Sequence, residues 1–178
     1  MALKATIFKA QLNIADMDRH YYGDHTLTIA RHPSENDARM MVRLLAFALN
    51  ASEGLEFTRG ISTEDEPDIW QKNLHGEVKL WIELGEPDER RLRKASGRAS
   101  QVRVYCYQPR ADQPWWQKLA RHVAAIDNLQ LFHLPGDGAS QLAELASRNM
   151  QLQVTIQEGE VGITDGEHHL SLSLEQWQ

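Results

Sequence analysis

The feature that most limits the fold of this chain is a strand, a helix and a strand in immediate succession near its middle. Residues 77–84 alternate Val78, Leu80, Ile82 and Leu84 with Lys79, Trp81 and Glu83, which predicts a strand with Glu83 turned away from its most apolar face. Residues 87–99 open with Pro87, Asp88 and Glu89 and repeat Leu92, Ala95 and Ala99 at helical spacing, so proline is expected at the first helical position and acids in the first turn. Residues 101–107 return to alternation through Val102, Val104 and Cys106. A strand, a helix and a strand so closely joined predict a crossover unit with parallel strands.

The flanks extend this pattern. Residues 3–13 and 25–32 alternate in the same way and predict an N-terminal hairpin. The charged and aromatic residues 16–24 between them are more than a tight turn needs, and are expected either to project or to continue as a bent strand pair. Ser34 is the expected cap of a helix that runs to about Ser52, with Ala38, Met41, Val42, Leu45 and Leu49 on one face and Arg39 and Arg43 on a polar stripe. Short strands are expected at 55–58 and 67–72, then a helix at 115–126, a strand at 129–134 and a helix at 139–148. From Met150 onward only strands are expected, at 151–157, 161–164 and 169–174, with Asp165-Gly166 as a hairpin turn. The expectation is an α/β fold with a mixed central sheet, an N-terminal hairpin and C-terminal antiparallel strands, in one domain over residues 1–178.

Composition bounds the function. At 178 residues and 42% hydrophobic, the chain can fill one core, and two ordinary domains are not the default. A formal charge of -6 argues against a surface coated in positive charge, so any nucleic-acid contact would rest on a local patch. The single cysteine, Cys106, excludes an internal disulfide framework and points to a reducing compartment, with cytoplasm as the expectation. No apolar run is long enough to cross a bilayer as a helix, so no membrane role is expected.

Chemistry concentrates between Thr63 and Arg98. A Pro-Asp at Pro67-Asp68 opening one strand, and Glu83 near the end of the next, can bring two carboxylates to one sheet edge, a geometry suited to Mg²⁺. The following helix carries Arg90, Arg91, Arg93, Lys94 and Arg98, a candidate phosphate clamp that Glu86, Asp88 and Glu89 partly neutralise. The eight histidines lack a compact ligand spacing and read as structural or surface residues. Cys106 reads as a small core residue, and Trp115-Trp116 as core with one partly exposed ring.

The order helix, three strands, helix, strand over residues 34–107 resembles the αβββαβ core of the PD-(D/E)XK nuclease superfamily, a restriction-endonuclease-like fold. Through Arg31-His32-Pro33-Ser34-Glu35, Glu66-Pro67-Asp68, Trp81-Ile82-Glu83-Leu84-Gly85 and Pro87-Asp88-Glu89-Arg90-Arg91, the sequence also resembles the bacterial YaeQ family. The resemblance implies Asp68 and Glu83 as metal ligands and catalytic acids, Glu35 as an added acid, and Mg²⁺ as the ion. Gly85 stands where the superfamily's motif has lysine, and Arg91 or Lys94 is implied as the replacement cation. Two functions follow: a divergent Mg²⁺-dependent phosphodiesterase acting on nucleic acid, or a non-catalytic protein that keeps the fold and binds nucleic acid or a protein partner.

Overall fold

A computed structural model of the protein describes residues 4–59, 63–109 and 113–178. In chain order the elements are β1 Thr6–Asp16, β2 Tyr21–Arg31, α1 Asp37–Leu49, β3 Leu55–Phe57, β4 Ile69–Lys72, β5 Val78–Leu84, α2 Glu89–Arg98 and β6 Ala99–Cys106. There follow α3 Pro114–Val123, β7 Leu129–His133, α4 Gly138–Ala143, β8 Asn149–Gln157, β9 Glu160–Thr164, β10 His169–Ser173 and β11 Glu175–Gln176. The expected mixed α/β fold is present, and its strands form two sheets. The chain divides into two compact units, Met1–Ala51 with Asp137–Leu174, and Ser52–Gly136 with Glu175–Gln178.

In the first unit the sheet order is β10-β9-β8-β1-β2, with β1 and β8 parallel and the other neighbours antiparallel. Phe8, Ala10, Leu12 and Ile14 of β1 and Met150, Leu152, Val154 and Ile156 of β8 are buried, so the period-two pattern sends one face inward. The hairpin is tight, with Asp16 opposite Tyr21, and does not project. Its turn is fixed by Asp16, whose carboxylate accepts from Arg19 N at 3.0 Å and Arg19 Nε at 2.7 Å while Arg19 Nη1 donates to Ala51 O at 3.1 Å. This local clasp pairs Asp16 with Arg19, while Asp18 accepts from Glu158 N and Gly159 N at 2.7 and 2.9 Å.

The cap of α1 is Asn36 rather than Ser34: Asn36 Oδ1 accepts from Arg39 N at 2.8 Å, whereas Ser34 Oγ is engaged with His32 Nδ1 at 2.6 Å. Asn36→Ala is therefore expected to lower stability by about 1 kcal/mol in a denaturant melt, and Ser34→Ala to leave it nearly unchanged. The helix stops at Leu49, where Asn50 Nδ2 donates back to Ala46 O at 2.7 Å. On the stripe expected to be polar, Arg43 is buried and its Nη2 lies 3.0 Å from Glu35 Oε1.

The second unit holds the sheet β11-β7-β6-β5-β4-β3, antiparallel from β3 to β5, parallel from β5 to β7, and closed by antiparallel β11. The predicted crossover β5-α2-β6 is present and repeats as β6-α3-β7, and successive crossovers of one hand along neighbouring strands put both helices on one face. There Trp81, Leu92, Ala95, Val102, Val104, Leu119, Val123 and Leu131 form one core cluster. The face of β5 that bears Trp81 is thus covered by α2. Glu83 shares that face, turned away from the Val78, Leu80, Ile82 and Leu84 side as expected, and it is nonetheless buried because β5 is covered on both sides. The last four residues were not predicted as structure; β11 pairs with β7, and Leu131 N donates to Gln178 O at 3.0 Å.

Candidate functional site

The pairing of Ile69 with Ile82 places Asp68, one residue ahead of β4, beside Glu83 on the neighbouring strand. Asp68 N donates to Ile82 O at 3.0 Å, and Asp68 Oδ2 accepts from Leu84 N at 3.0 Å, so the side chain is fixed against the end of β5. Both acids are 4% exposed. A carboxylate so buried needs strong donors, and Glu83 Oε1 takes two: Trp81 Nε1 at 2.8 Å and Arg91 Nε at 2.7 Å.

Arg91 reaches Glu83 because of how the chain leaves the strand. Gly85 turns with φ +91°, Asp88 caps α2 by accepting from Arg91 N at 2.8 Å, and Pro87 stands ahead of the cap instead of at the first helical position. This aims the first turn of α2 back over β5. The other arms of the guanidinium donate to Glu64 O and Glu66 O, each at 2.9 Å, so one arginine ties β5 to the acidic segment before Asp68. Burial pushes the Glu83 carboxyl above its ordinary range; the Arg91 charge pulls it back and the neighbouring Asp68 charge adds to the rise.

The remaining predicted site residues have partners of their own. Lys94 Nζ pairs with Asp65 Oδ1 at 2.7 Å, joined by Arg98 Nη1 at 3.6 Å from the same oxygen. The hydrogen bond from Lys94, then the Lys94 and Arg98 charges, hold Asp65 below the usual carboxylate range. Arg93 Nε is 2.8 Å from Glu89, so most of the predicted phosphate clamp is already matched with acids or carbonyls. Glu35 belongs to the first unit, where Arg43 and Arg39 hold its carboxylate at 3.0 and 3.5 Å. Trp81 was missed as a site residue, although its position two before Glu83 on the same strand face was a usable signal.

Among the described residues no group of three or more His, Cys, Asp or Glu side chains could hold a metal ion. Asp68 and Glu83 bring two carboxylates to the site, both buried and both already accepting hydrogen bonds from the protein. Burial pushes the Cys106 thiol up to about 12, so it is no nucleophile at neutral pH. Among the described residues no helix is long and apolar enough to cross a membrane.

These features define a mixed α/β protein with a buried pair of carboxylates on adjacent strands and an arginine from the next helix seated on one of them. The chain belongs to the YaeQ family, whose model, described as YaeQ protein, matches residues 1–174. It is 50% identical to the uncharacterised YaeQ protein of Salmonella typhi and 46% identical to that of Escherichia coli K12, in each case over 100% of this chain and 98% of the relative. The crystal structure of the YaeQ protein from Xanthomonas axonopodis pv. citri superposes with a TM-score of 0.94 at 45% identity, covering 98% of both chains. That from Pseudomonas syringae gives 0.93 at 37% identity, covering 98% of this chain and 96% of the other.

Proposed function

We propose that the protein is a divergent Mg²⁺-dependent phosphodiesterase that acts on nucleic acid in the cytoplasm, on a core related to that of the PD-(D/E)XK nucleases. The observation that carries this reading is the meeting of Asp68, Glu83 and Arg91 from three successive elements. Asp68 and Glu83 would hold the ion, which when bound supplies Lewis-acid activation of water and neutralises charge on the phosphate. Leu84 N keeps Asp68 in place, and Arg91 favours the ionised form of Glu83 that a cation requires. Arg91 is also the cation seated on Glu83, two residues before the Gly85 that stands where the superfamily's motif has lysine.

Labelled single- and double-stranded DNA and RNA, incubated with the protein in Mg²⁺ or Mn²⁺, test this. Cleavage is expected, is lost in EDTA, and falls at least about 100-fold in a folded Asp68→Ala variant. A second reading, a non-catalytic protein that binds nucleic acid or a protein, is favoured by the engagement of Arg91 with Glu64 O and Glu66 O, which turns it into a brace. Binding of nucleic acid by the wild type with no cleavage in either metal would select it.

A further inference from the structure

Among the described residues the strand order leaves four sheet edges, and one of them is long. In the second unit β3 and β11 close the sheet with three and two residues, and in the first unit β10 ends it with five, whereas β2 at the other edge has eleven. A very short strand is one device that blunts an edge; lysine, proline and a bulge are others. β2 has none of them, and it pairs with β1 in unbroken register from Tyr21 to Arg31.

The neighbouring strand decides which backbone groups of β2 face outward. Lys9 N donates to Arg148 O at 2.9 Å, just ahead of β8, and Met17 N to Ile156 O at 2.8 Å, so the odd residues of β1 turn their backbone groups to β8 and the even ones to β2. Tyr22, Asp24, Thr26, Thr28 and Ala30 stand opposite odd residues of β1, and they therefore present N–H and C=O to the open side. Ala30 O accepts from Arg43 Nη2 at 3.0 Å, which closes the edge at that end. Among the described residues the outward backbone groups of Tyr22, Asp24, Thr26 and Thr28 have no hydrogen-bond partner, and all four residues are exposed, Tyr22 to 62%.

We propose that this edge joins a second copy of the chain, β2 against β2 in antiparallel register around a two-fold axis at His25. A row of open N–H and C=O groups is completed by another strand, and β2 is complementary to itself. Around that axis Asp24 stands opposite Thr26 of the second copy, where a hydroxyl can donate to the carboxylate, and Tyr22 stands opposite the β-branched Thr28. Each pair occurs twice, so all four outward residues find partners and no like charges meet. An axis at Asp24 would set two aspartates face to face, and one at Thr26 would set Tyr22 against Ala30, whose carbonyl is taken. The pairing joins two five-stranded sheets into one. It goes beyond the phosphodiesterase reading and does not depend on it.

Sedimentation velocity of the full chain tests the pairing. Strand pairing alone makes a small interface, so association in the micromolar range is expected, read over about 1 µM to 1 mM. The mass should rise from 20.3 kDa toward twice that value. Thr26→Glu sets a carboxylate against Asp24 of the second copy and should weaken association at least about tenfold. Thr26→Lys sets an ammonium there and should tighten it about 2- to 30-fold, because the pair occurs twice. Thr28→Glu and Thr28→Lys, opposite the uncharged Tyr22, should change it less than about threefold in either direction. All four substitutions lie at exposed positions of an edge strand, and far-ultraviolet circular dichroism checks that each variant keeps its sheet. A reversal of sign at position 26 but not at 28 supports both the edge and the axis. A wild type that stays at 20.3 kDa throughout overturns the proposal, and so does a dimer that the two Thr26 variants leave unchanged or shift in the same direction.

Discussion

Arg91→Ala is expected to lower the unfolding free energy by about 3–5 kcal/mol, because it leaves a buried carboxylate without its cation and two backbone carbonyls without their donor. In a chain of this size a loss of that order lowers the melting temperature by about 10 °C. The loss should depend on pH in a defined sense. Burial raises Glu83 above its ordinary range, so between its unfolded and folded values the native state binds the proton more strongly. Its contribution to stability therefore falls as pH rises through that window. Removing Arg91 takes away the charge that pulls Glu83 down, which extends the window upward. The deficit of Arg91→Ala should thus be largest near neutral pH and shrink on acidification, as Glu83 takes up a proton and the unpaired charge disappears. Unfolding measured from pH 5 to 8 reads this directly, and a deficit constant across the range would mean that the arginine acts only through its carbonyl contacts. Arg91→Lys restores the charge but lacks the planar fork that reaches Glu83, Glu64 and Glu66 together, so it should recover part of the stability.

What the sequence makes legible follows from the range over which each contact acts. The β5-α2-β6 crossover is written in neighbouring residues, as are the β8-β9-β10 hairpins with their Glu158-Gly159 and Asp165-Gly166 turns. The parallel pairing of β1 with β8, Lys9 opposite Asn149, joins residues some 140 apart, and alternation alone cannot say which edge a strand will meet. For the same reason β11 could not be assigned to β7 from two residues. At the candidate site, spacing points to the pairing of Asp68 with Glu83, and the family resemblance implies Arg91 or Lys94 as the cation, but neither says how the helix divides its cations. Arg91 and Lys94 lie three apart on α2, close enough to share a face, and only the path of residues 64–66 sends one to Glu83 and the other to Asp65. Glu35 and Arg43 illustrate a further gap, since the sequence reads Arg43 on a polar stripe and Glu35 as an added acid until burial makes them a pair.

Gly85→Lys would supply the lysine that the proposed PD-(D/E)XK relationship calls for, and it is expected to be strained and catalytically silent. At φ +91° the backbone of Gly85 lies where L side chains rarely go, while a Cβ there meets no heavy atom within 4 Å. The penalty is then one of backbone and not of space, about 1–3 kcal/mol, and Gly85→Ala should carry nearly the same loss as Gly85→Lys in a denaturant melt. A positive φ also breaks the strand's alternation, so a lysine at 85 is not delivered to the face of Glu83 as it would be from a regular strand. Arg91 already occupies that carboxylate at 2.7 Å. In the Arg91→Ala background Gly85→Lys should consequently restore neither stability nor phosphodiester cleavage. Restoration of both would show that position 85 and α2 are interchangeable sources of the cation, and that the turn relaxes to an ordinary strand once the glycine is gone.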